Sequence, residues 1–138
     1  MELTQCINYL LTTAQHTVSQ NLSNRLGEYD ITPSQYAVLR CLWDMNKANP
    51  KEIAEALGIE TSTISGVLDR MQKKGLIVRT ISEEDRRFIL VEITEKGKAL
   101  EEPIIKIVDD VNEEVLQFLS PEERDKLKNN LRRIALGE

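Results

Sequence analysis

Asn49–Arg79 reads "NPKEIAEALGIETSTISGVLDRMQKKGLIVR", and its 31 residues hold two helix starts, two glycine stops and the opening of a strand. Asn49 fits an N-cap, Pro50 the first helical position and Glu52 the third, so side chains and backbone can satisfy each other's unpaired N–H groups. Gly58 stands just past the end of the short helix this predicts. Ile64, Val67, Leu68 and Met71 then recur at i, i+3, i+4 and i+7, one apolar face of a second helix that Gly75 stops. Two helices joined by "GIET" make a helix-turn-helix.

The inward stripe of the second helix fixes its outward face by subtraction. Ser62, Thr63, Ser65 and Gly66 face outward near its N-terminal end, followed by Arg70, Lys73 and Lys74. Small hydroxyls beside a glycine let a helix sit close to the floor of a DNA major groove, where Ser and Thr reach base edges. A basic last turn meets phosphates, which sets register rather than sequence. Two bland readings compete: serine and threonine as helix caps, and basic residues answering the helix dipole.

Beyond Gly75, "LIVRTIS" and "RFILVEI" are rich in β-branched residues and flank the polar "EEDR", a β-hairpin pattern. Arg86 and Arg87 fall at its tip, with Ile89, Val91 and Ile93 expected to hold the shaft. A guanidinium there can enter a narrow minor groove, whose negative potential favours arginine. Asp85 lies two residues from Arg87, close enough in a turn to brace it. A solvated charged turn is the competing reading.

The flanks are helical. Leu3, Ile7, Leu10, Ala14, Val18, Leu22 and Leu26 form one long stripe, with Gly27 as the expected stop. "ITPSQY" repeats the capping logic with Thr32, Pro33 and Gln35. That helix should reach about Met45, with Val38, Leu39, Leu42 and Trp43 inward. Thr94 caps the helix after the hairpin, Pro103 should kink or break it, and "SPEE" (120–123) caps the last one, whose face is Leu127, Leu131 and Ile134. The expected class is mostly α with a small β-hairpin wing. Residues 31–98 form the winged helix-turn-helix, and 1–30 with 99–138 a helical dimerisation region, all in one compact domain.

The net charge of −5 would argue against nucleic acid, but its distribution matters more. Residues 47–98 carry ten basic and nine acidic side chains, leaving eight and fourteen for the rest, so the acidity sits at the ends. No apolar run is long enough to span a membrane, and the N-terminus carries Glu2 and no basic region, so a cytoplasmic protein with reduced Cys6 and Cys41 is expected. One histidine, no metal-ligand cluster, no glycine-rich phosphate loop and no nucleophile elbow argue against an enzyme, a metal or a cofactor. Glu83, Glu84 and Asp85 adjoin on one turn, whereas an acid–base pair needs opposed positions across a cleft.

"ITPSQYAVLRCLW", "KEIAEALGIETSTISGVLDRMQKKGLIVR" and "DRRFILVEITEKG", in this order, resemble the MarR (multiple antibiotic resistance regulator) family of winged-helix transcription regulators. Asp85, Arg87, Val91, Ile93, Thr94 and Gly97 fill the wing pattern, and the resemblance covers nearly all of the chain. It implies a homodimeric DNA-binding regulator, usually a repressor, on a near-palindromic operator. By the same resemblance Arg87 enters the minor groove and Asp85 holds it, while Asp69 and Arg79 brace the wing against the helix. Three amphipathic end helices, more apolar surface than one small domain covers, independently point to a dimer.

The family also implies a small phenolic or lipophilic effector in a cleft between platform and winged helix, for which Tyr9, His16, Tyr36 and Trp43 are candidates. Core or interface membership is the competing reading for all four. Some relatives sense hydroperoxides through a cysteine of the first helix. Cys6 lies in that stretch near Tyr9, but it stands 25 positions before Ile31, two farther than the sensor thiol, which turns a helical side chain by about 200°. No basic residue lies within a turn to activate it. Neither thiol is therefore expected to be needed for regulation, and Cys41, between Val38 and Trp43, is expected in the core. The alternatives to a ligand-released repressor are a thiol-based sensor using Cys6 and a winged-helix protein-interaction module.

Overall fold

The computed structural model describes residues 1–138. In chain order the elements are α1 (Ile7–Leu26), α2 (Pro33–Met45), β1 (Lys47–Ala48), α3 (Pro50–Leu57), α4 (Thr61–Lys73), β2 (Ile77–Ile81), β3 (Ile89–Ile93), α5 (Glu95–Ala99), α6 (Glu101–Leu116) and α7 (Pro121–Leu136). No helix is long and apolar enough to cross a membrane.

The three proline-led helix starts form as read. Thr32 Oγ1 accepts from Gln35 N while Gln35 Oε1 accepts from Thr32 N, both at 3.2 Å. Asn49 and Glu52 exchange the same pair at 2.8 and 3.1 Å, and Ser120 and Glu123 at 3.2 and 2.9 Å. The Ser120 backbone N–H, with its side chain second, holds the Glu123 carboxyl below its ordinary range. Each box satisfies two N–H groups that a helix start leaves unpaired. Gly58 and Gly75 take left-handed φ values of 67° and 77° and stop α3 and α4 where expected.

The hairpin pairs antiparallel with Ile77 opposite Ile93 and Ile81 opposite Ile89. Two strands alone bury little, and β1 adds a third: Lys47 pairs with Glu92 and Ala48 with Val91. No sequence pattern marks residues 46–48 as a strand. A two-residue strand has no periodicity to detect, and Asn46 reaches it by a left-handed turn at φ 67°. Val91 and Ile93 are buried as expected, but Ile89 is exposed, because the sheet ends above the core and only its base is covered.

One core gathers Val38, Leu39 and Leu42 from α2, Ile53 and Ala54 from α3, Ile64, Val67, Leu68 and Met71 from α4, and the sheet. Leu26 and Ile104, from the two ends of the chain, complete it. The end helices therefore share the core of the middle rather than forming a second one. Cys41 departs from expectation. It is half-buried and outside this cluster, since α2 turns positions 38, 39 and 42 inward and leaves 41 on the flank.

One correction and two refinements concern the ends. Gly27 stops α1 as expected, but not by a left-handed turn. Its φ is −57°, the chain continues in a 3₁₀ turn through Tyr29, and Asp30 takes the left-handed conformation at φ 56°. Cys6 is not inside the helix. It is extended at φ −73°, ψ 126°, between a 3₁₀ turn (Leu3–Gln5) and α1, so a helical rotation does not describe its direction. As expected, Pro103 breaks its helix, and does so one turn before itself, at Leu100 between α5 and α6. Its ring occupies the space of the carbonyl four residues back, at Ala99.

Much apolar surface stays uncovered within one chain. On α1 only Leu26 is buried, and α7 buries nothing. Phe118 is 77% and Ile134 57% exposed, with Leu3, Ile7, Leu10, Leu127 and Leu131 also open. Helix α7 is anchored through Arg124, which pairs with Glu113 at 2.8 Å and donates to the carbonyls of Leu116 and Leu119.

Candidate nucleic-acid interface

Helix α4 begins after Glu60, which makes no side-chain cap bond. The hydroxyls of Ser62, Thr63 and Ser65 are exposed and take no part in capping, so the capping reading does not account for them. Gly66 lies on the same side. A Cβ placed there would meet only the Arg70 guanidinium, at 3.7 and 3.8 Å, so Arg70 lies back along its own helix over the glycine.

At the other end of α4 three charges take three different paths. Asp69 reaches Arg79 of β2 across 2.7 Å, and Arg79 Nε donates to Gln72 Oε1, also at 2.7 Å. The wing strand is thereby tied to two successive turns of the helix. Gln72 has no sequence motif that marks it, but its i+3 spacing from Asp69 puts both on the face toward β2. Lys73 is exposed, beside a groove of about 360 Å³ that it lines with Asp69, Gln72 and Arg79. Lys74 turns the opposite way, to Asp30 and Gln35. It is not part of the outward basic face, because it stands three residues after Met71 and so continues the inward stripe of α4.

The wing tip is a turn on Asp85–Phe88, closed by the Phe88 N–H to the Asp85 carbonyl at 3.0 Å and the Ser82 N–H to the Phe88 carbonyl at 2.9 Å. One Asp85 carboxylate oxygen accepts from the Arg87 backbone N–H and Nε, each at 3.1 Å, and the other from Nη2 at 2.8 Å. The Arg87 fork, with its backbone N–H second, holds the Asp85 carboxyl below its ordinary range, and the carboxylate raises the Arg87 guanidinium in turn. The Arg87 side chain stays 85% exposed despite this clamp. Its guanidinium carbon stands 6.0 Å from the centre of the exposed Phe88 ring, at the outer limit of a cation–π contact. Arg86, Glu83 and Glu84 form no ion pair, and Arg86 lies with Ile81, Ser82 and Glu83 around a shallow groove.

The four candidate effector residues divide between two helices. Tyr36 and Trp43 of α2 pack together, ring centres 6.3 Å apart, against the core. Trp43 Nε1 donates to the Gly97 carbonyl at 3.0 Å, and burial pushes the Tyr36 phenol up. Tyr9 and His16 lie on α1. Of the four, His16 alone lines the polar groove of about 240 Å³ formed with Gln15, Ser19, Gln20, Ser23 and Pro33. The sequence pattern thus does not gather the four around one pocket of the single chain. Burial, with Asp44 second, pushes the Cys41 thiol up, away from a reactive thiolate.

The MarR family model matches residues 31–89, from just before α2 to the first residue of β3. The chain is 31% identical over 134 residues to the HTH-type transcriptional regulator SarZ of Staphylococcus aureus, an alignment spanning 94% of this chain and 86% of the relative. The S. aureus MepR–DNA complex superimposes with a TM-score of 0.88 at 27% identity, covering 96% of this chain and 98% of that one. The transcriptional repressor CouR, bound to a 23-mer DNA duplex, has a TM-score of 0.89 at 32% identity and coverages of 97% and 95%. CouR from Rhodococcus jostii RHA1, bound to p-coumaroyl-CoA, has a TM-score of 0.84 at 25% identity and coverages of 98% and 95%.

Proposed function

This chain belongs to the MarR family of DNA-binding transcription regulators, not to an enzyme family, and we propose that it is a cytoplasmic, homodimeric repressor of a near-palindromic operator, released by a small phenolic or lipophilic molecule. The observation that carries the DNA geometry is the pairing of two exposed elements. The α4 face of Ser62, Thr63, Ser65 and Gly66 is free for base edges, with Arg70 and Lys73 following. The Arg87 guanidinium is presented by the Asp85 fork at the end of a stiff hairpin. A carboxylate that holds an arginine without hiding it lowers the entropy lost on minor-groove entry and leaves the outward edge free. Asp69 and Arg79 keep wing and helix in one rigid unit. Arg86 supplies a second, looser charge at the same tip.

The dimer reading rests on the uncovered faces of α1 and α7. Residues 1–30 and 99–138 would make the shared platform and 31–98 the reader. Two α4 helices would then enter successive major grooves about 34 Å apart. The effector reading draws on the likeness to CouR, whose structure holds p-coumaroyl-CoA. Tyr9, His16, Tyr36 and Trp43 are the residues to probe, in a site that a second chain would help enclose.

The test is binding to the DNA upstream of the protein's own coding region over a salt series, with and without a phenolic acid, an acyl-CoA thioester and an organic hydroperoxide. Each phosphate contact should steepen the log–log salt dependence by about 0.9. Release by the phenolic or the thioester supports this reading. Release by hydroperoxide that a Cys6→Ser variant abolishes replaces it with a thiol sensor, and salt-independent binding refutes the phosphate contacts.

A further inference from the structure

The C-terminal turn of α4 is gripped from outside its own helix at three points. The Lys74 ammonium donates to the Asp30 carbonyl and, at 2.9 Å, to Gln35 Oε1, with the Asp30 carboxylate 3.6 Å away. The Lys74 carbonyl accepts from the Lys96 ammonium at 2.6 Å, and the Gly75 carbonyl from the Thr94 hydroxyl, also at 2.6 Å. Each partner is itself held. Asp30 is the left-handed residue that ends the turn after α1. Gln35 is 2% exposed, and its Oε1 also takes the Thr32 N–H of the α2 cap. Thr94 caps α5, the helix that leads into α6.

Lysine ordinarily lays its stem along the protein and keeps its ammonium in water. The Lys74 side chain is 26% exposed and exchanges water for acceptors in a fixed turn, whereas its neighbour Lys73 is exposed. From Lys74 to Ser62 is twelve residues, a lever of about 18 Å. A 5° tilt at the lysine would move the hydroxyl face by about 1.6 Å, more than the range over which a hydrogen bond to a base keeps its strength.

We propose that Lys74 is a positioning residue for DNA recognition: its ammonium, seated on Asp30 and Gln35, sets the pitch of α4 against the α1–α2 turn and so places Ser62, Thr63 and Ser65 at the base edges. This rests on the reading of α4 as the recognition helix.

The experiment measures binding to an operator selected from random duplexes and to a scrambled duplex, each over a salt series. Wild type is compared with Lys74→Met, which keeps the stem and removes the ammonium, and with Lys73→Ala. Lys74→Met should lose operator affinity by about tenfold at every salt concentration, the effect of one charge-assisted hydrogen bond. Its salt slope and its affinity for the scrambled duplex should not change. Lys73→Ala should instead flatten the slope on both duplexes by about 0.9. Unchanged operator affinity for Lys74→Met overturns the proposal. So does a loss with a flatter slope on both duplexes, which would make Lys74 a phosphate contact. A wild type with no preference between duplexes refutes the premise of a recognition helix itself. If Lys74→Met does not fold, hydrogen exchange on the wild type carries the test. Operator binding should slow the amides of residues 27–35 together with those of α4, and protection confined to α4 and the wing overturns the proposal.

Discussion

Replacing Gly97 by alanine should destabilise the fold, although helix propensity alone predicts a gain of up to about 1 kcal/mol. Gly97 lies in the first turn of α5, where that helix meets the base of the sheet. A Cβ at this position would stand 2.6 Å from the Leu76 carbonyl oxygen and 2.7 Å from Ile93 Cγ1. Ordinary contact starts near 3.4 Å, so something must move by about 0.8 Å. Neither neighbour yields cheaply. Ile93 is a core residue, and the Leu76 carbonyl already accepts from Thr94 N at 3.0 Å. If α5 moves instead, the Trp43 Nε1–Gly97 bond at 3.0 Å stretches. Overpacking of this kind costs about 1–3 kcal/mol, and one or two strained hydrogen bonds add about 1 kcal/mol each. The expected net loss is about 3 kcal/mol, a fall in Tm of about 10 °C for a chain of this length. The assay is urea unfolding followed by far-UV circular dichroism, at one protein concentration because any self-association makes stability depend on it. Gly66→Ala is the control. It sits inside α4, its Cβ meets only the end of the flexible Arg70 side chain, and it should stabilise by about 0.5–1 kcal/mol. A Gly97→Ala protein as stable as wild type would refute the close-approach argument.

Other perturbations separate the parts of the interface. Arg87→Ala should cost at least about tenfold in operator affinity while leaving the Tm in place, since the side chain is exposed and its contacts lie at the wing tip, outside the core; electrophoretic shift and thermal melting together check this. Asp85→Asn should cost less, because the guanidinium remains but is no longer forked. The pH dependence follows from the sign of the Asp85 shift. Its folded pKa lies below its ordinary value, so the brace is complete above that ordinary value and is lost only as pH falls through the depressed one. The affinity ratio of wild type to Asp85→Asn should therefore be flat between about pH 5 and 8, and a ratio that titrates in this window would contradict the assignment. Trp43→Phe keeps most of the packing but removes the donor to Gly97, and should lower stability by about 1 kcal/mol in the same unfolding assay.

What sequence alone determined here is what closes within four residues. The boxes at Thr32, Asn49 and Ser120, the left-handed stops at Gly58 and Gly75, and the Asp85–Arg87 turn each satisfy their backbone or charge from near neighbours. Residue order therefore specifies them without a tertiary contact. The inward stripe of α4 was legible for the same reason, and its outward hydroxyls followed by subtraction. Tertiary structure decided whatever depended on a distant partner. Strand β1 exists only because β3 offers an edge to two residues with no pattern of their own. Lys74 and Lys73 are adjacent and chemically identical, yet one meets Asp30 and Gln35 and the other faces out. That division depends on where the chain 44 residues earlier makes its turn. The ends of α1 belong to the tertiary structure as well: Cys6 lies outside the helix and Asp30 takes the left-handed turn beyond Gly27, because the ends of a helix are set by what the next element must reach, and Cys41 sits on the flank of α2 because a stripe locates the centre of a buried face better than its edge. The uncovered stripes of α1 and α7 reverse the relation. Sequence marks them as apolar, and the fold of one chain leaves them facing water, because covering them takes more surface than 138 residues supply.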